Sequence, residues 1–506
     1  MSEEISRRKL LLAVGASLLG NQLVSLYPAM AGDNRQSTAS ARQLASVNST
    51  GVEYFVPDGE LVNISGEKLY IGSSIYPFRK NNDPQWLLKE CKAIGFNEIR
   101  FSFPREHVER VPNSGDFDPE HFHNPYPEIT ANLRDSGFNV ILLLNGHPGD
   151  KHGNPLDWPR NADGTIDGER AAPSFANYSR WIVNHTKDFV GTYELWNEAF
   201  GLIEDQHARK SFGPGGSREN ADNYAAMMLP AMRQIKQHAP HAAVTIEGNY
   251  WNVEKSAGAS QNYLRLLREA DYVIRHPYGY QPKGYEGGRQ QGHPGQFLEI
   301  AEYYRRINPN IRWWFTEYGV SAHDVGLPQA QMRGLVQAKG ALRSTTLHLR
   351  HNIEHLDIFA LYYPSSPPYS LCEKDMSRTI AWHAMQRLLN SLCLGQKSIE
   401  AKLERENELG ADFRDLAVAT PGGFSYLIWQ ETPVESFKNT IAAARTKVIL
   451  KNSHSTPMRL VSAIDPITGS EPKNIQATLE ARTTTGRLSL ELPVSDYPLL
   501  CHIEST

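Results

Sequence analysis

Two short strings hold the residues best suited to chemistry: Tyr193-Glu194-Leu195-Trp196-Asn197-Glu198 and Trp313-Trp314-Phe315-Thr316-Glu317-Tyr318-Gly319. Each is an apolar, aromatic-rich run with a glutamate at or near its end. Each reads as a strand of a parallel barrel, where reactive side chains emerge at the strand terminus. Two carboxyl groups so placed suit scission of a glycosidic bond. The leaving oxygen is poor, so one carboxyl must give it a proton while a second attacks or stabilises the oxocarbenium-like carbon. Glu198 and Glu317 can divide that labour across a barrel mouth, and a separation of about 5 Å would imply double displacement with net retention. Like charges at that range also raise the proton affinity of one member, which helps to keep an acid protonated near neutral pH. Either glutamate alone reads equally well as a structural strand-end residue; the joint placement is what points to catalysis.

The elements that must position these residues are visible in the hydrophobic pattern. From Tyr70 onward, short apolar runs alternate with amphipathic stretches, which predicts an α/β fold, a (β/α)8 TIM barrel. The eight strand candidates are Tyr70–Ile75, Asn97–Phe103, Asn139–Asn145, Thr192–Glu198, Ala243–Gly248, Asp271–His276, Arg312–Glu317 and Leu356–Tyr363. They are almost continuously apolar, as expected of strands buried on both faces. Helical patterns cover Asp83–Ile94, Ala171–Asp188, Asn220–His238, Gln261–Ala270, Gly295–Ile307, Gln329–His351 and Ser377–Leu394. Beyond Gly395 the pattern changes to short alternating runs: Leu416–Thr420, Phe424–Trp429, Thr446–Leu450, Arg459–Ala463, Leu488–Leu492 and Leu499–Ile503. Turn strings such as Pro421-Gly422-Gly423 and Thr468-Gly469 separate them, which predicts a C-terminal antiparallel β-sandwich domain. Val52–Val56 and Leu61–Ile64 would add an N-terminal hairpin to the barrel floor or to the sandwich.

The chain of 506 residues is long enough for a barrel plus an accessory module. A net charge of -4 with both signs mixed throughout offers no footprint for nucleic acid or an anionic membrane. The expected partner is therefore neutral or weakly charged, and aromatic residues at 10% of the chain suit stacking on sugar rings as well as core packing. At the N-terminus, Ser6-Arg7-Arg8-Lys9-Leu10-Leu11-Leu12 precedes a modestly apolar run that ends at Ala29-Met30-Ala31. It reads as a twin-arginine export signal cleaved near Ala31, although the aromatic residue often seen after the arginine pair is missing. The expected organisation is thus a signal over 1–31, a Ser- and Asn-rich spacer over 32–51, a catalytic barrel over 52–394 and a β-sandwich over 395–506. The mature protein would be periplasmic or secreted, with no integral membrane segment after signal cleavage. Cys91, Cys372, Cys393 and Cys501 are widely spaced and form no zinc pattern. Oligomeric state is not legible.

Four strings taken together resemble clan A of the glycoside hydrolases: Leu195-Trp196-Asn197-Glu198, Thr316-Glu317-Tyr318-Gly319, Glu98-Ile99-Arg100-Phe101 and His276-Pro277-Tyr278. Within the clan, a barrel followed by a β-sandwich looks most like family 39 or a near relative. The resemblance implies a retaining glycosidase with Glu198 as acid/base and Glu317 as nucleophile. It implies that Asn197 bonds the sugar 2-hydroxyl and that Arg100 lies beneath Glu317 and keeps it ionised. It further implies that Tyr278 donates to Glu317 and that His276 lines the sugar site. One departure stands out: where the clan often has a tryptophan platform at the end of the eighth strand, this chain has Leu361-Tyr362-Tyr363-Pro364, which leaves Tyr363 as the stacking candidate.

His147 after the third strand and Trp251 after the fifth are further substrate-contact candidates. The loop from Gly149 to Ala172, with Trp158, is placed to form a wall of the cleft or a solvent-facing decoration. His121 with His123, and Asn161 with Asp163 and Asp167, complete no metal-ligand set, so no metal and no cofactor is expected. The residues themselves leave three functions open: hydrolysis of an oligo- or polysaccharide, sugar binding without catalysis on a barrel scaffold, and transglycosylation.

Overall fold

A computed structural model gives the architecture. It describes residues 69–505 except 79–81, 104, 110–116, 118–125, 149–155, 201–211, 214–216, 249–259, 278–302, 320–329, 351–352, 354, 366–368, 394–400, 411, 433–438, 440, 474 and 479–485. The export signal, the spacer and the N-terminal hairpin expected from the sequence lie outside the described residues, as do His121, His123, Trp251 and Tyr278.

Eight parallel strands close into a barrel in chain order: β1 (Tyr70–Ser74), β2 (Glu98–Ser102), β3 (Asn139–Leu144), β4 (Thr192–Leu195), β5 (Ala243–Glu247), β6 (Tyr272–Ile274), β7 (Arg312–Tyr318) and β8 (His355–Ile358), with β8 pairing back on β1. Every strand expected from the apolar runs is present. Two end three or more residues earlier than expected. β4 stops at Leu195 because Trp196 and Glu198 adopt positive φ (73° and 53°), and β8 stops at Ile358, five residues before Tyr363.

Helices pack around the barrel: α1 (Pro84–Ile94), α2 (Tyr126–Asp135), α3 (Gly168–Thr186), α4 (Arg218–His238), α5 (Gln261–Glu269), α6 (Ala330–Arg350) and α7 (Ile380–Leu392). Their ends follow local chemistry. Asp83 accepts the N–H groups of Gln85 and Trp86 ahead of Pro84, and the helix ends on Gly95 at φ 98°, a left-handed conformation that costs glycine little. Ser217, Ser260 and Thr379 cap α4, α5 and α7 in the same way. The α3 N-cap is Asp167, and Asp163 accepts from the N–H and hydroxyl of Thr165. The Asn161–Asp167 segment is therefore closed by its own hydrogen bonds and by a helix start.

Two four-stranded antiparallel sheets follow. One runs β10 (Phe413–Thr420), β11 (Gly423–Gln430), β16 (Leu499–Ser505), β13 (Met458–Ile464); the other runs β14 (Gln476–Thr478), β15 (Arg487–Val494), β12 (Ala444–Asn452), β9 (Leu403–Arg405). Phe424, Tyr426 and Ile428 of the first sheet meet Val448, Leu450 and Leu490 of the second in one core, which makes a sandwich. The opposite face of the first sheet, with Leu427 and Trp429, joins the core that surrounds the barrel. Lys339 of α6 reaches Asp496 at 2.9 Å, both fully buried, and Arg387 of α7 donates to the carbonyl of Pro466 at 2.6 Å. The accessory sheets are thus fastened to the helical shell by apolar burial and by buried polar bonds.

Candidate active site

The strand pairing brings an unusual set of charges to the barrel axis. Arg100 on β2 is 3% exposed and makes a two-toothed bond to Glu194 on β4, Nε to Oε2 and Nη2 to Oε1, each at 2.7 Å. Its remaining donors reach upward and sideways: Nη1 to Glu317 Oε1 at 2.6 Å and to Ser74 Oγ at 3.2 Å, and Nη2 to Asn197 Oδ1 at 2.8 Å. Burial alone works against a charged guanidinium, but Glu194 and then Glu317 more than offset it and hold Arg100 firmly protonated. The rigid fork of arginine is suited to binding several oxygens at fixed angles, which a lysine cannot do.

Glu317 reaches this cluster through an irregularity in β7. Phe315 pairs with Leu356 and Tyr318 with Ile358, so three steps along β7 match two along β8. Such a bulge re-aims side chains. Here consecutive residues both turn to the axis: Thr316 Oγ donates to Glu194 Oε1 at 3.3 Å, while Glu317 meets Arg100.

Glu198 arrives differently, on the turn that leaves β4. Trp196 and Glu198 sit in the left-handed region, at a cost of about 1–3 kcal/mol each for non-glycine residues. The indole of Trp196 is buried against Phe212, Phe175 and Trp158, with ring centres 5.1, 6.0 and 6.1 Å away. That packing anchors the turn and tips Glu198 over the barrel mouth. Asn197 accepts from Arg100 through its oxygen, which leaves the amide N–H groups as the side offered to the cleft.

His276, just past β6, bridges the two glutamates. Nδ1 lies 3.1 Å from Glu198 Oε1 and 3.7 Å from Glu317 Oε2, and Nε2 lies 3.2 Å from Thr316 Oγ. One oxygen of each glutamate and a His276 nitrogen all fall within 4.8 Å of one another. Among the described residues these are the only three His, Cys, Asp or Glu side chains that converge so closely, so a divalent cation arriving here would compete with the bonds of His276. Burial pulls the imidazole down, but Glu317 and then Glu198 outweigh it and push His276 up to about 9. The two glutamates differ in access, with side chains 51% exposed at Glu198 and 9% at Glu317. The exposed one can exchange protons with water, and the shielded one faces the fixed charge of Arg100.

Beneath this layer lies a second pair of acids. Glu98 on β2 and Asp357 on β8 both pair with Gly72 of β1, and a Cβ at Gly72 would stand 2.6 Å from Asp357 Oδ1. The glycine therefore makes room for the Asp357 carboxyl and the Glu98 main chain. Glu98 Oε2 takes His355 Nδ1 at 2.7 Å and the amide of Asn139, but no protein N–H or O–H meets its Oε1 or either oxygen of Asp357. Two carboxyls that face each other hydrogen-bond only if one carries a proton. Burial pushes Glu98 up to about 8, opposed by Asn139, and burial followed by Glu98 drives Asp357 far above the carboxylate range.

The pH consequence has a definite sign. A carboxyl raised in the folded state binds more protons folded than unfolded above about pH 4, so its contribution to stability falls as pH climbs toward 8. His276 adds a loss of the same sign at higher pH: its contribution is full below 6.5 and disappears as pH rises through 9. Asp357→Asn supplies a permanent donor to Glu98. The expected result is a melting temperature close to wild type at pH 5 and higher than wild type at pH 9, by the equivalent of about 1–3 kcal/mol, the cost of an unpaired buried polar group. Thermal melts of the two proteins across pH 5–9 check it, and curves that stay parallel contradict the shared proton.

The structure brings Arg100, Asn197, Glu198, His276 and Glu317 together. Tyr363 stands at the β8 side of the mouth, tilted against Tyr76 at 4.9 Å and Phe359 at 5.0 Å between ring centres. Phe359, the first residue after β8, is thus a second aromatic beside Tyr363, while Tyr362 is buried with its hydroxyl on the Lys374 carbonyl. His147 lies beyond β3 with its ring 6.3 Å from Trp158. Trp158 itself is 2% exposed and backs Trp196, so it supports the Glu198 turn instead of walling the cleft. Four members of the cluster escaped the sequence reading: Ser74, Glu194, Thr316 and Glu247. The signal for Glu194 was present, since an acid between Tyr193 and Leu195 in a strand buried on both faces requires a cation, and Arg100 is in the same predicament.

A closed eight-stranded barrel with glutamates emerging after β4 and on β7, and an arginine on β2 between them, defines a clan A glycoside hydrolase. The family model described as cellulase (glycosyl hydrolase family 5) matches residues 62–343, more than half of the chain, and the chain belongs to that family. Among solved structures, it is similar to a family 39 glycoside hydrolase from the gut symbiont Bacteroides cellulosilyticus WH2, with 17% identity over 88% of this chain and 83% of that one and a TM-score of 0.59. It is also similar to a GH30 endoxylanase from Clostridium papyrosolvens C71, with 10% identity, 91% and 98% coverage and a TM-score of 0.53. At these identities the likeness speaks for the fold. No curated protein matches the chain.

Proposed function

We propose that the chain is an exported retaining glycosidase that cleaves β-glycosidic bonds of an oligo- or polysaccharide by double displacement. The observation that carries this reading is the approach of a Glu198 oxygen to a Glu317 oxygen within 4.8 Å. That spacing suits the roughly 5–5.5 Å of retaining enzymes, whereas an inverting pair needs about 6.5–9.5 Å to admit a water.

Glu317, oriented by Arg100, attacks the anomeric carbon. Glu198 protonates the departing oxygen and, once the aglycone has left, takes a proton from the incoming water. Asn197, its oxygen fixed by Arg100, presents its N–H groups to a sugar hydroxyl. His276 in its protonated form sits between the carboxylates and moderates their repulsion. The aromatic group of Tyr76, Phe359 and Tyr363 supplies flat apolar faces on which a pyranose ring can stack. The chemistry calls on no cofactor. Export rests on the twin-arginine string and the Ala29-Met30-Ala31 cleavage pattern, and among the described residues no helix is long and apolar enough to cross a membrane.

The test is a panel of aryl β-glycosides and soluble polysaccharides incubated with the chain lacking residues 1–31 and read for released phenol and reducing ends. The family model's description and the endoxylanase relative put β-glucans and xylans first. Turnover of at least one β-linked substrate is expected. Binding across the panel without any turnover would replace this reading with sugar recognition on a silent barrel.

A further inference from the structure

Building on the assignment of Glu198 as acid/base, we propose that Glu247 is the positioning residue that holds Glu198 at the glycosidic oxygen. Glu247 ends β5 and is 9% exposed. Its Oε2 accepts the backbone N–H of Ala199, the residue directly after Glu198. That bond fixes the peptide plane on the C-terminal side of the acid/base.

The rest of the turn is clamped from the same direction. The carbonyl of Ala199 accepts from Asn220 Nδ2 at 3.3 Å, and Asn220 is itself tied to the carbonyl of Gly213 at 2.6 Å. On the N-terminal side the Tyr224 hydroxyl donates to the carbonyl of Leu195 at 2.8 Å and accepts the N–H of Glu247 at 3.1 Å. β5 and α4 thus grip both ends of the segment 196–199, in which Trp196 and Glu198 are left-handed. Non-glycine residues keep that conformation only where their surroundings over-determine it. Ala199 is fully buried, so without the carboxylate its N–H has lost its acceptor, and the turn is released toward ordinary backbone. Glu198 swings with it.

The strand is secured independently of this side chain, because the Tyr263 hydroxyl donates to the Glu247 carbonyl at 2.8 Å. Replacing the carboxyl should therefore spare the barrel and misplace the acid. Proton donation matters most when the leaving group is poor, and this gives positioning a signature that general loosening lacks.

The experiment compares Glu247→Gln, which keeps an oxygen for the Ala199 N–H, with Glu247→Leu, which removes it. Both are made in the chain that is active in the panel, with Glu317→Gln alongside. Steady-state kinetics on aryl glycosides of graded leaving-group acidity are expected to show the leucine variant losing about 10²-fold in kcat/KM on unactivated phenols. The loss of kcat/KM on dinitrophenyl-type substrates should be under about tenfold, with kcat and KM falling together because the misplaced base slows the second step, and the glutamine variant should stay within about threefold throughout. A loss in Glu247→Leu that is equal for good and poor leaving groups, or a glutamine variant as impaired as the leucine one, overturns the proposal. If Glu247→Leu does not fold, Glu247→Asp takes its place, since the shorter side chain withdraws the acceptor and keeps the charge. Should Glu317→Gln retain turnover, the catalytic assignment itself is wrong; should it be inactive while Glu247→Leu behaves as wild type, only the role of Glu247 falls.

Discussion

Glu317→Gln is expected to abolish turnover, lowering kcat/KM on any β-linked substrate by on the order of 10⁴-fold or more, about 5 kcal/mol of transition-state stabilisation. The amide is almost the same shape, can still accept from Arg100 Nη1 and leaves the guanidinium bound to Glu194, so folding should be intact. What is lost is the nucleophile: a neutral amide cannot form the glycosyl ester or match the charge growing on the anomeric carbon. The amide also removes one negative charge from beside Arg100 and His276, which keep Glu194 and Glu198 as their carboxylate partners. Steady-state kinetics with a melting curve for each protein check the result. Residual turnover within tenfold of wild type would remove Glu317 from the chemistry.

Glu198→Ala should divide substrates by leaving group. On unactivated glycosides it is expected to cost about 10²–10⁴-fold, the usual contribution of a positioned proton donor. A dinitrophenyl glycoside needs no proton to depart, so its first step should be nearly preserved and the intermediate should accumulate for want of a base. Azide, entering the space vacated at this half-exposed position, should then speed turnover and yield a glycosyl azide of retained configuration. Burst kinetics and product analysis read both effects. Equal losses on good and poor leaving groups, with no response to azide, would show that Glu198 is not the proton donor.

How far the sequence reveals this machinery depends on what each residue must satisfy. The barrel strands were legible because parallel strands buried on both faces have to be nearly all apolar, and runs such as Asn139–Leu144 leave no other reading. Helix α2 was not: Tyr126–Asp135 carries Pro127 and few apolar residues, so its pattern is weak. β9 and β14, at three residues each, are too short to show alternation. The two glutamates were visible as charges at the ends of aromatic strands. Their supports were hidden for different reasons. Thr316 is a small polar letter inside an apolar strand, and only the β7 bulge puts it beside Glu317 on the axis. Glu247 looks like any strand-end acid until the left-handed turn at Glu198 brings the Ala199 N–H to it. Glu98 and Asp357 are ordinary letters in two separate strands, and only barrel closure through β1 sets them face to face across Gly72. The apolar run places an aromatic platform at Tyr363, at the end of an eighth strand that extends that far; the strand ends at Ile358 and Phe359 joins Tyr363 there.

If Glu198 and Glu317 act by double displacement, the stereochemical course of the reaction shows it most directly. Proton NMR of the anomeric signals, recorded from the first minutes of hydrolysis of an activated β-glycoside before mutarotation intervenes, identifies the anomer first released. The β-anomer appearing first, with the α-anomer rising only later toward equilibrium, is the predicted result. The α-anomer appearing first would mean a single inverting displacement, and would contradict the account of the carboxylate pair.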